Sequence, residues 1–362
     1  MNAFKTKLVA LFIALSLCVT WFYFMREVAP GNRINTITPA VFASDVGGGM
    51  MVQPLRAGTN PVIAFPTIPT TNGGAYNGPW PKVWQSRIAG PWLAGQLLQR
   101  KLEPLHVRDT NGVAITGVMV KLETFRNVFG LYQAVWLMLT FIVLICFVEN
   151  PAFIIPVVFA GACYTLASPR DVIMFPWDMP SMFFFTLACL LYMRGWFVWM
   201  LVTIVLGTAF KETVAVTAFL FFFTKLNWKQ KAGFFGAAFV ACLLLKLWIT
   251  HAVMGHAQVF TADVSHGPPL LEGLKLLLIK LFTPHLNHFI WVNGGTFVVA
   301  MLLPMRTLVD KGTKFVLALF FAGMTLACYW ANTYYEVRQF LDVLPVSVIY
   351  LSRTVEHWRR RT

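Results

Sequence analysis

Ten apolar runs follow one another along this 362-residue chain, and no other feature constrains its fold so strongly. An α-helix needs about 20 apolar residues to cross a bilayer, and shorter helices are tolerated where their ends line a cavity enclosed by protein. Only 12% of the residues are charged, which is far below the share in soluble domains and excludes a soluble enzyme. The runs cover residues 8–24, 129–148, 152–167, 179–193, 196–209, 213–224, 233–250, 286–304, 314–331 and 339–352.

The positions of lysine and arginine predict the direction in which these runs cross. Short cytoplasmic connections collect Lys and Arg, so the basic connections should lie inside. With ten crossings this places both termini in the cytoplasm and makes the chain a multi-pass membrane protein. The predicted inside elements contain Lys5, Lys7, Arg194, Lys225, Lys229, Lys231, Arg306, Lys311, Lys314, Arg353, Arg359, Arg360 and Arg361.

Three regions follow from this topology, and together they predict an all-α integral membrane fold with one long outer loop. Residues 1–24 form a retained signal anchor and first transmembrane helix, residues 25–126 form the outer loop region, and residues 127–362 form a multi-helix membrane domain. Within the loop, the Asn111-Gly112 dipeptide between β-prone stretches predicts a small β-hairpin. The segment from Trp84 to Leu98 has the apolar spacing of an amphipathic helix on the membrane surface.

Charged residues gather at the predicted outer ends of non-adjacent runs. Charges in or beside membrane helices cost about 2.5 to 3.5 kcal/mol each on insertion scales, so they are candidates for function. Folding could bring them around one polar cavity that opens outward. The set is Arg170, Asp171, Asp178, Lys211, Glu212, Glu336, Arg338 and Asp342.

Structural explanations for these residues remain open beside the functional one. Arg338 and Asp342 lie four residues apart and share a helix face, so they could simply neutralise each other. Asp178 stands between two prolines before an apolar run and could cap the following helix. Glu212 or Thr213 could cap a new helix after Lys211, but capping alone would not require a cation and an anion together.

Five short motifs stand out along the chain: Pro169-Arg-Asp, Pro176-Trp-Asp-Met-Pro, Gly207-Thr-Ala-Phe-Lys-Glu-Thr, Tyr335-Glu-Val-Arg-Gln-Phe-Leu-Asp-Val-Leu-Pro345, and Arg87-Ile-Ala-Gly-Pro-Trp-Leu-Ala before the second run. Together they resemble a group of bacterial multi-spanning proteins related to GT-C glycosyltransferases. The resemblance implies a location in the bacterial inner membrane and transfer of a sugar from a polyprenyl-phosphate donor to an envelope acceptor on the outer face. GT-C enzymes usually carry the catalytic carboxylate in the first outer loop, where this chain has Glu27 and Asp45.

Sugar transfer requires a carboxylate to accept the proton of the acceptor hydroxyl and cations to stabilise the leaving phosphate. We therefore expect Asp178 and Glu212 to be the catalytic carboxylates, one as proton acceptor and the other as an orienting or metal-binding group, in an order that the sequence leaves open. The predicted substrate-binding residues are Arg87, Arg170, Asp171, Lys211, Glu336 and Arg338.

No motif supports a metal or nucleotide cofactor, and nothing in the sequence indicates a nucleic-acid partner. Two alternatives belong to other functional classes. The first is a transporter or flippase of a lipid-linked or anionic substrate, in which Arg170, Lys211 and Arg338 bind charge without chemistry. The second is a structural subunit of an envelope complex that docks through the long loop. Charges at one end, without an internal repeat, favour the enzyme over the transporter.

Overall fold

The computed structural model describes residues 3–27, 42–43, 49–52, 103–108, 114–166, 177–254, 310–330 and 337–359, together with positions 89, 90, 93 and 97. Helices make up most of this part of the chain, because a helix satisfies its own backbone hydrogen bonds inside an apolar medium. The helices are α1 (Ala3–Glu27), α2 (Leu122–Phe147), α3 (Pro151–Leu166), α4 (Asp178–Arg194), α5 (Phe197–Phe210), the 3₁₀ helix η1 (Glu212–Phe223), α6 (Trp228–Met254), α7 (Lys311–Trp330), the 3₁₀ helix η2 (Val337–Val343) and α8 (Leu344–Arg359).

Three of the described helices are long and apolar enough to cross a membrane, within Phe4–Met25, Asn127–Phe147 and Trp228–Trp248. Shorter apolar helices cover Pro151–Cys163, Phe197–Phe210 and Glu212–Phe223. Large apolar side chains also lie on the outer surface of the helices, and both Trp199 and Trp248 are 65% exposed. Such a surface is compatible with contact with a lipid bilayer, where exposed apolar groups carry no penalty.

A small antiparallel sheet lies within the region predicted as the outer loop. Its strands are β1 (Phe42–Ala43), β2 (Gly49–Val52), β3 (Glu103–Arg108) and β4 (Ala114–Lys121), in the order β1-β2-β4-β3. Strands β3 and β4 pair from Glu103 with Met119 to Arg108 with Ala114, and β4 continues directly into α2. The Asn111-Gly112 turn lies outside the described residues, as does most of the predicted amphipathic helix from Trp84 to Leu98.

Helix α4 occupies the centre of the bundle and is shared by two apolar cores. Met179, Met182 and Leu190 on α4 pack with α1, α2 and α3 in the first core. Phe185 and Ala188, on another face of α4, pack with α5, η1, α6 and α7 in the second. Residues that precede and begin α8 contribute to both cores. The first turn of α4 is therefore surrounded by other elements, which is why a charge placed there is buried.

Helices α5 and η1 form an antiparallel hairpin with Lys211 at its tip. Phe197 at the start of α5 and Phe221 near the end of η1 both lie against Phe234, with ring centroids 6.4 and 5.2 Å away. The two arms match in length, because 14 α-helical residues rise about 21 Å and 12 residues of 3₁₀ helix rise about 24 Å. The 3₁₀ geometry thus lets the shorter arm cover the full height of the hairpin.

Close packing at Gly207 holds the hairpin together near its tip. A Cβ atom at this position would lie 2.6 Å from Val214 Cγ1 and 2.7 Å from Phe184 Cβ. Only glycine fits there, so α5 can approach both η1 and α4. This close approach brings Lys211 beside the first turn of α4.

Tight connections fix the neighbouring helices. Helix α4 ends at Gly195, which adopts a left-handed φ of 74°, and its N–H donates to the carbonyl of Tyr192 at 3.0 Å. Helix α6 begins after a reciprocal cap in which Asn227 Oδ1 accepts from the N–H of Gln230 at 2.9 Å and Gln230 Oε1 accepts from the N–H of Asn227 at 3.3 Å. These short connections fix the positions of α4, α5, η1 and α6 relative to one another. The hairpin tip then lies at the same end of the bundle as the start of α4.

Candidate functional site

Asp178, Lys211, Glu212, Lys246 and Asp342 come together at one end of the bundle, and we call them the charge cluster. They come from α4, the hairpin tip, the start of η1, the later part of α6, and η2. Four of the five belong to the charged candidates from the sequence, and three of these, Asp178, Lys211 and Glu212, are predicted to be catalytic or to bind substrate. The fold thus joins charges that stand up to 164 positions apart in the sequence.

Lys211 is the buried centre of this cluster. Its Nζ lies 3.2 Å from Asp342 Oδ2, 3.3 Å from Asp342 Oδ1 and 3.9 Å from Asp178 Oδ1. The side chains of Lys211 and Asp342 are fully buried, and that of Asp178 is 1% exposed. A buried charge without a partner is strongly destabilising, so the ammonium group and the two carboxylates depend on one another. The ammonium is enclosed in this conformation and does not face an incoming phosphate.

Asp342 makes further contacts through both carboxylate oxygens. Ser181 Oγ donates to Oδ1, and Thr213 Oγ1 donates to Oδ2 at 2.6 Å. With the two contacts to Lys211, each oxygen has two partners, which is the capacity of a carboxylate oxygen. The alternative that Asp342 mainly neutralises Arg338 does not match this arrangement, because Lys211 supplies the cation; the side chain of Arg338 lies outside the described part of the chain.

Glu212 is the most accessible of the three carboxylates in the charge cluster. Its side chain is 34% exposed, and its Oε1 accepts from Lys246 Nζ at 3.0 Å. Lys246 is 10% exposed and projects from α6. Sequence reasoning missed Lys246, although a single lysine within the apolar run 233–250 is a recognisable signal, because a cation at such a position is costly in lipid.

The residues predicted as possible helix caps, Asp178, Glu212 and Thr213, do not occupy the N-cap positions of α4 and η1. Trp177 takes the N-cap position of α4 and Lys211 takes that of η1, and neither makes a side-chain capping bond. Asp178 is the first helical residue, and its Oδ1 lies 3.9 Å from Lys211 Nζ. Thr213 uses its hydroxyl for Asp342. The charges at these two helix starts therefore serve contacts between elements.

The other predicted residues lie outside the described part of the chain. This holds for Arg87, Arg170, Asp171 and Glu336, and for the side chain of Arg338, whose backbone belongs to η2. Asp45, which the family resemblance offers as an alternative base, lies outside it as well. Glu27 ends α1, but its side chain is not described. Their roles stay predictions.

A second polar group, which we call the tyrosine cluster, consists of Tyr192, Asp310, Thr313 and Tyr350. Asp310 caps α7, since its Oδ1 accepts from the N–H of Thr313 at 2.9 Å. Tyr192 donates to Asp310 Oδ1 at 3.0 Å, and Tyr350 donates to Asp310 Oδ2 at 2.7 Å. Asp178 and Tyr192 begin and nearly end α4, so the two clusters are separated by about 21 Å along this helix.

Hydrogen bonds determine the ionisation of Asp310. Burial by itself would raise the pKa of this carboxyl group, but hydrogen bonds from the N–H and hydroxyl of Thr313 and from the two tyrosines lower it below the ordinary value of 3.8. Asp310 is therefore a stable anion that joins α4, α7 and α8. The sequence contains a signal for this cap, since Asp310 stands three residues before Thr313 at the start of an apolar run.

The charge cluster supplies an accessible carboxylate and a buried cation at one end of an apolar bundle, and Ser181 and Thr213 add hydroxyl groups beside them. In the part of the chain that the structure describes, no three His, Cys, Asp or Glu side chains are placed to hold a metal ion. This set of groups suits proton transfer and the stabilisation of charge.

Comparisons with known proteins give no relative from which a role could be taken. No protein-family model, curated protein or solved structure matches the chain. The functional argument therefore rests on the geometry of the charge cluster.

Proposed function

We propose that this protein is a GT-C-like membrane glycosyltransferase, which transfers a sugar from a polyprenyl-phosphate-linked donor to an envelope acceptor on the outer face of the bacterial cytoplasmic membrane. The observation that carries the proposal is the charge cluster, in which five charged side chains from separate elements meet at one end of an apolar bundle. Ionisable groups are retained in such surroundings mainly for function.

Exposure separates the roles of the two predicted catalytic carboxylates. Glu212 is one-third exposed, so an acceptor hydroxyl can reach it, whereas Asp178 is enclosed. In the proposed reaction the acceptor oxygen bonds to the anomeric carbon, the bond from that carbon to the phosphate oxygen breaks, and Glu212 takes the hydroxyl proton. Lys246 balances the negative charge that Glu212 must carry beforehand. Asp178 then acts as the orienting carboxylate through Lys211.

Arginines in the adjoining segments are the proposed ligands of the donor phosphate. In the sequence, Arg170 and Asp171 come before α4, Glu336 comes directly before η2, and Arg338 belongs to η2; these two elements carry Asp178 and Asp342 of the charge cluster. Arg87 precedes β3 in the long loop and is proposed to act with them. Guanidinium groups match the geometry of phosphate oxygens and are suited to this role. Lys211 can join them only if its ammonium leaves the two carboxylates.

The ten-crossing topology with cytoplasmic termini is part of the proposal. Lys246 places the later part of α6 beside the charge cluster, while the start of α7 lies beside the tyrosine cluster. We propose that the apolar run 286–304 makes the crossing between these two ends, since its length and composition suit a membrane span. A reporter active only outside the cytoplasm should work when fused between Gly47 and Asn77 and fail after Arg361; the reverse result would overturn the proposed outer site.

The direct test of the proposed function is a transfer assay. The purified full-length protein is incubated with labelled polyprenyl-phosphate sugars and a panel of envelope acceptors. The expected result is labelled product with the wild type and a loss of roughly 100-fold in kcat with Glu212→Gln. Asp178→Asn should also reduce transfer, because the amide removes a charge that orients Lys211. Near-normal transfer by both variants would contradict the assignment and direct attention to Glu27 and Asp45.

One observation favours a second candidate, transport. Lys211 stands fully buried between two carboxylates at the tip of a helical hairpin, and buried ionisable groups of this kind also mark the paths of ions and charged substrates through membranes. Proteoliposomes with the labelled lipid-linked sugar in one leaflet separate the two functions. Movement of the intact lipid to the other leaflet without product would support transport, and product at the acceptor would support the transferase.

A further inference from the structure

The geometry points to Asp342 as the positioning residue of Glu212, an inference that rests on the proposed role of Glu212 as proton acceptor. Neither the motifs nor the exposure argument gives Asp342 such a role. Asp342 binds Lys211 and Thr213, the residues on either side of Glu212.

The contacts on the two sides of Glu212 differ in chemistry but end on the same carboxylate. Lys211 Nζ reaches both oxygens of Asp342, at 3.2 and 3.3 Å, and Thr213 Oγ1 donates to Oδ2 at 2.6 Å. Because the side chains of Lys211 and Thr213 are both held by the carboxylate of Asp342, the backbone of Glu212 between them has little freedom. The direction in which Glu212 leaves the hairpin tip is thereby fixed.

Asp342 can hold Lys211 and Thr213 in place because its own position is fixed by several contacts. It is fully buried within η2, and Ser181 Oγ donates to its Oδ1 from the first turn of α4. Asp342 thus links η2, α4 and the hairpin tip. A displacement of about 1 Å at a reacting group can lower a rate 100-fold, so such a link matters for a proton acceptor.

Backbone amides at the hairpin tip report on this positioning without any assay of sugar transfer. The N–H of Lys211 donates to the carbonyl of Gly207 at 3.0 Å, and the N–H of Val214 donates to the carbonyl of Lys211 at 3.2 Å. Loosening the tip should open these two bonds more often, and amide hydrogen exchange measures that opening. Exchange in the rest of α5 serves as the internal reference.

The experiment measures amide hydrogen exchange and transfer kinetics on the full-length protein with Asp342→Asn, Thr213→Val and Thr213→Ser. Asp342→Asn removes the charge at similar shape, Thr213→Val removes only the hydroxyl, and Thr213→Ser keeps the hydroxyl and is the matched control. We expect exchange at Lys211 and Val214 to rise at least about 10-fold in the first two variants, with α5 unchanged, and to stay at the wild-type rate in Thr213→Ser. In the same two variants kcat should fall roughly 10- to 100-fold, with the donor KM unchanged.

The outcomes separate this inference from the proposed function. Unchanged exchange at the tip in Thr213→Val overturns the positioning role, and this holds even where Asp342→Asn does not fold. An equal loss of kcat in Thr213→Val and Thr213→Ser overturns it as well, because the hydroxyl would then not matter. If the wild type transfers no sugar, the proposed function fails, while the exchange data still decide whether Asp342 holds the tip.

Discussion

The charge cluster and the tyrosine cluster lie at opposite ends of the same central helix and stabilise their carboxylates in different ways. In the tyrosine cluster, the oxygens of Asp310 accept hydrogen bonds from two tyrosine hydroxyls and from the N–H and hydroxyl of Thr313. In the charge cluster, Asp178 and Asp342 share the ammonium group of Lys211. One end uses neutral donors to join helices, and the other concentrates opposite charges.

This difference is the reason for placing the proposed site at the charge cluster. Neutral donors are sufficient to hold the half-buried carboxylate of Asp310 and to connect three helices. Buried ion pairs are a poor way to gain stability, because the desolvation of both charges offsets most of their attraction. If the charge cluster served only to connect helices, neutral hydrogen-bond donors like those of the tyrosine cluster would be enough. This contrast supports the proposal that the charge cluster is the functional site.

Lys211→Met should have the largest effect on stability, and it tests whether the ammonium group holds the two buried carboxylates of the charge cluster. Removing the ammonium leaves two enclosed carboxylates without their shared cation, which should lower the free energy of unfolding by about 3 to 5 kcal/mol. Chemical denaturation of the protein in detergent micelles measures this. Lys246→Met is the matched control and should lower it by about 1 kcal/mol or less, because its partner Glu212 is one-third exposed. Equal effects of the two variants would contradict the distinct role of Lys211.

Gly207→Ala should have the next largest effect and tests the packing that brings the hairpin tip to α4. The added methyl group would lie within 2.7 Å of both Val214 and Phe184, so the free energy of unfolding should fall by about 1 to 3 kcal/mol. Gly233→Ala on α6 is the matched control, since a Cβ there meets nothing within 4 Å. Equal midpoints for the two variants in the same denaturation experiment would show that the close approach at Gly207 is not required.

Asp310→Ala should have a smaller effect, confined to stability. The substitution removes the cap of α7 and the acceptor for two tyrosine hydroxyls, which should cost about 1 to 2 kcal/mol. Transfer activity, measured on the folded fraction, should remain at the wild-type kcat. A large loss of kcat in this variant would remove the distinction between the two ends.

The smallest expected effect is a pH dependence that comes from Asp310. The pKa of this carboxyl group is lower in the folded protein than its ordinary value of 3.8, so the unfolded chain binds the proton more tightly. Its contribution to stability is therefore complete above the unfolded pKa and is lost as the pH falls through the folded value. Denaturation of the wild type and Asp310→Asn across this acidic range should show a stability difference that shrinks as the pH falls. A constant difference would contradict the assignment.

Charged members of the charge cluster could be recognised from the sequence, but the contacts between them could not. Asp178, Lys211 and Glu212 are recognisable because charges interrupt apolar runs at a cost. Their partners are not, because Lys211 and Asp342 are 131 positions apart and only packing brings them together. The local pairing of Arg338 with Asp342 was the nearest explanation that spacing alone could offer.

Helix geometry explains another difference between sequence and structure. The run 213–224 looked short for a crossing, because 12 residues of α-helix rise only about 18 Å. The chain adopts a 3₁₀ helix there, and its greater rise restores the height of the hairpin. Apolar composition does not distinguish the two helix types. The tyrosine cluster escaped prediction for a related reason, since Tyr192 and Tyr350 sit within apolar runs and gain their polar role only through contact with Asp310.

The most direct test of the central claim compares the same chemical change at the two ends of the bundle. Glu212→Gln and Asp310→Asn both replace a carboxylate with an amide of similar shape, and each is assayed for transfer of labelled sugar on protein shown to be folded. The account predicts that Glu212→Gln lowers kcat by roughly 100-fold, while Asp310→Asn keeps the wild-type kcat. Wild-type activity of Glu212→Gln, or an equal loss in both variants, would contradict it.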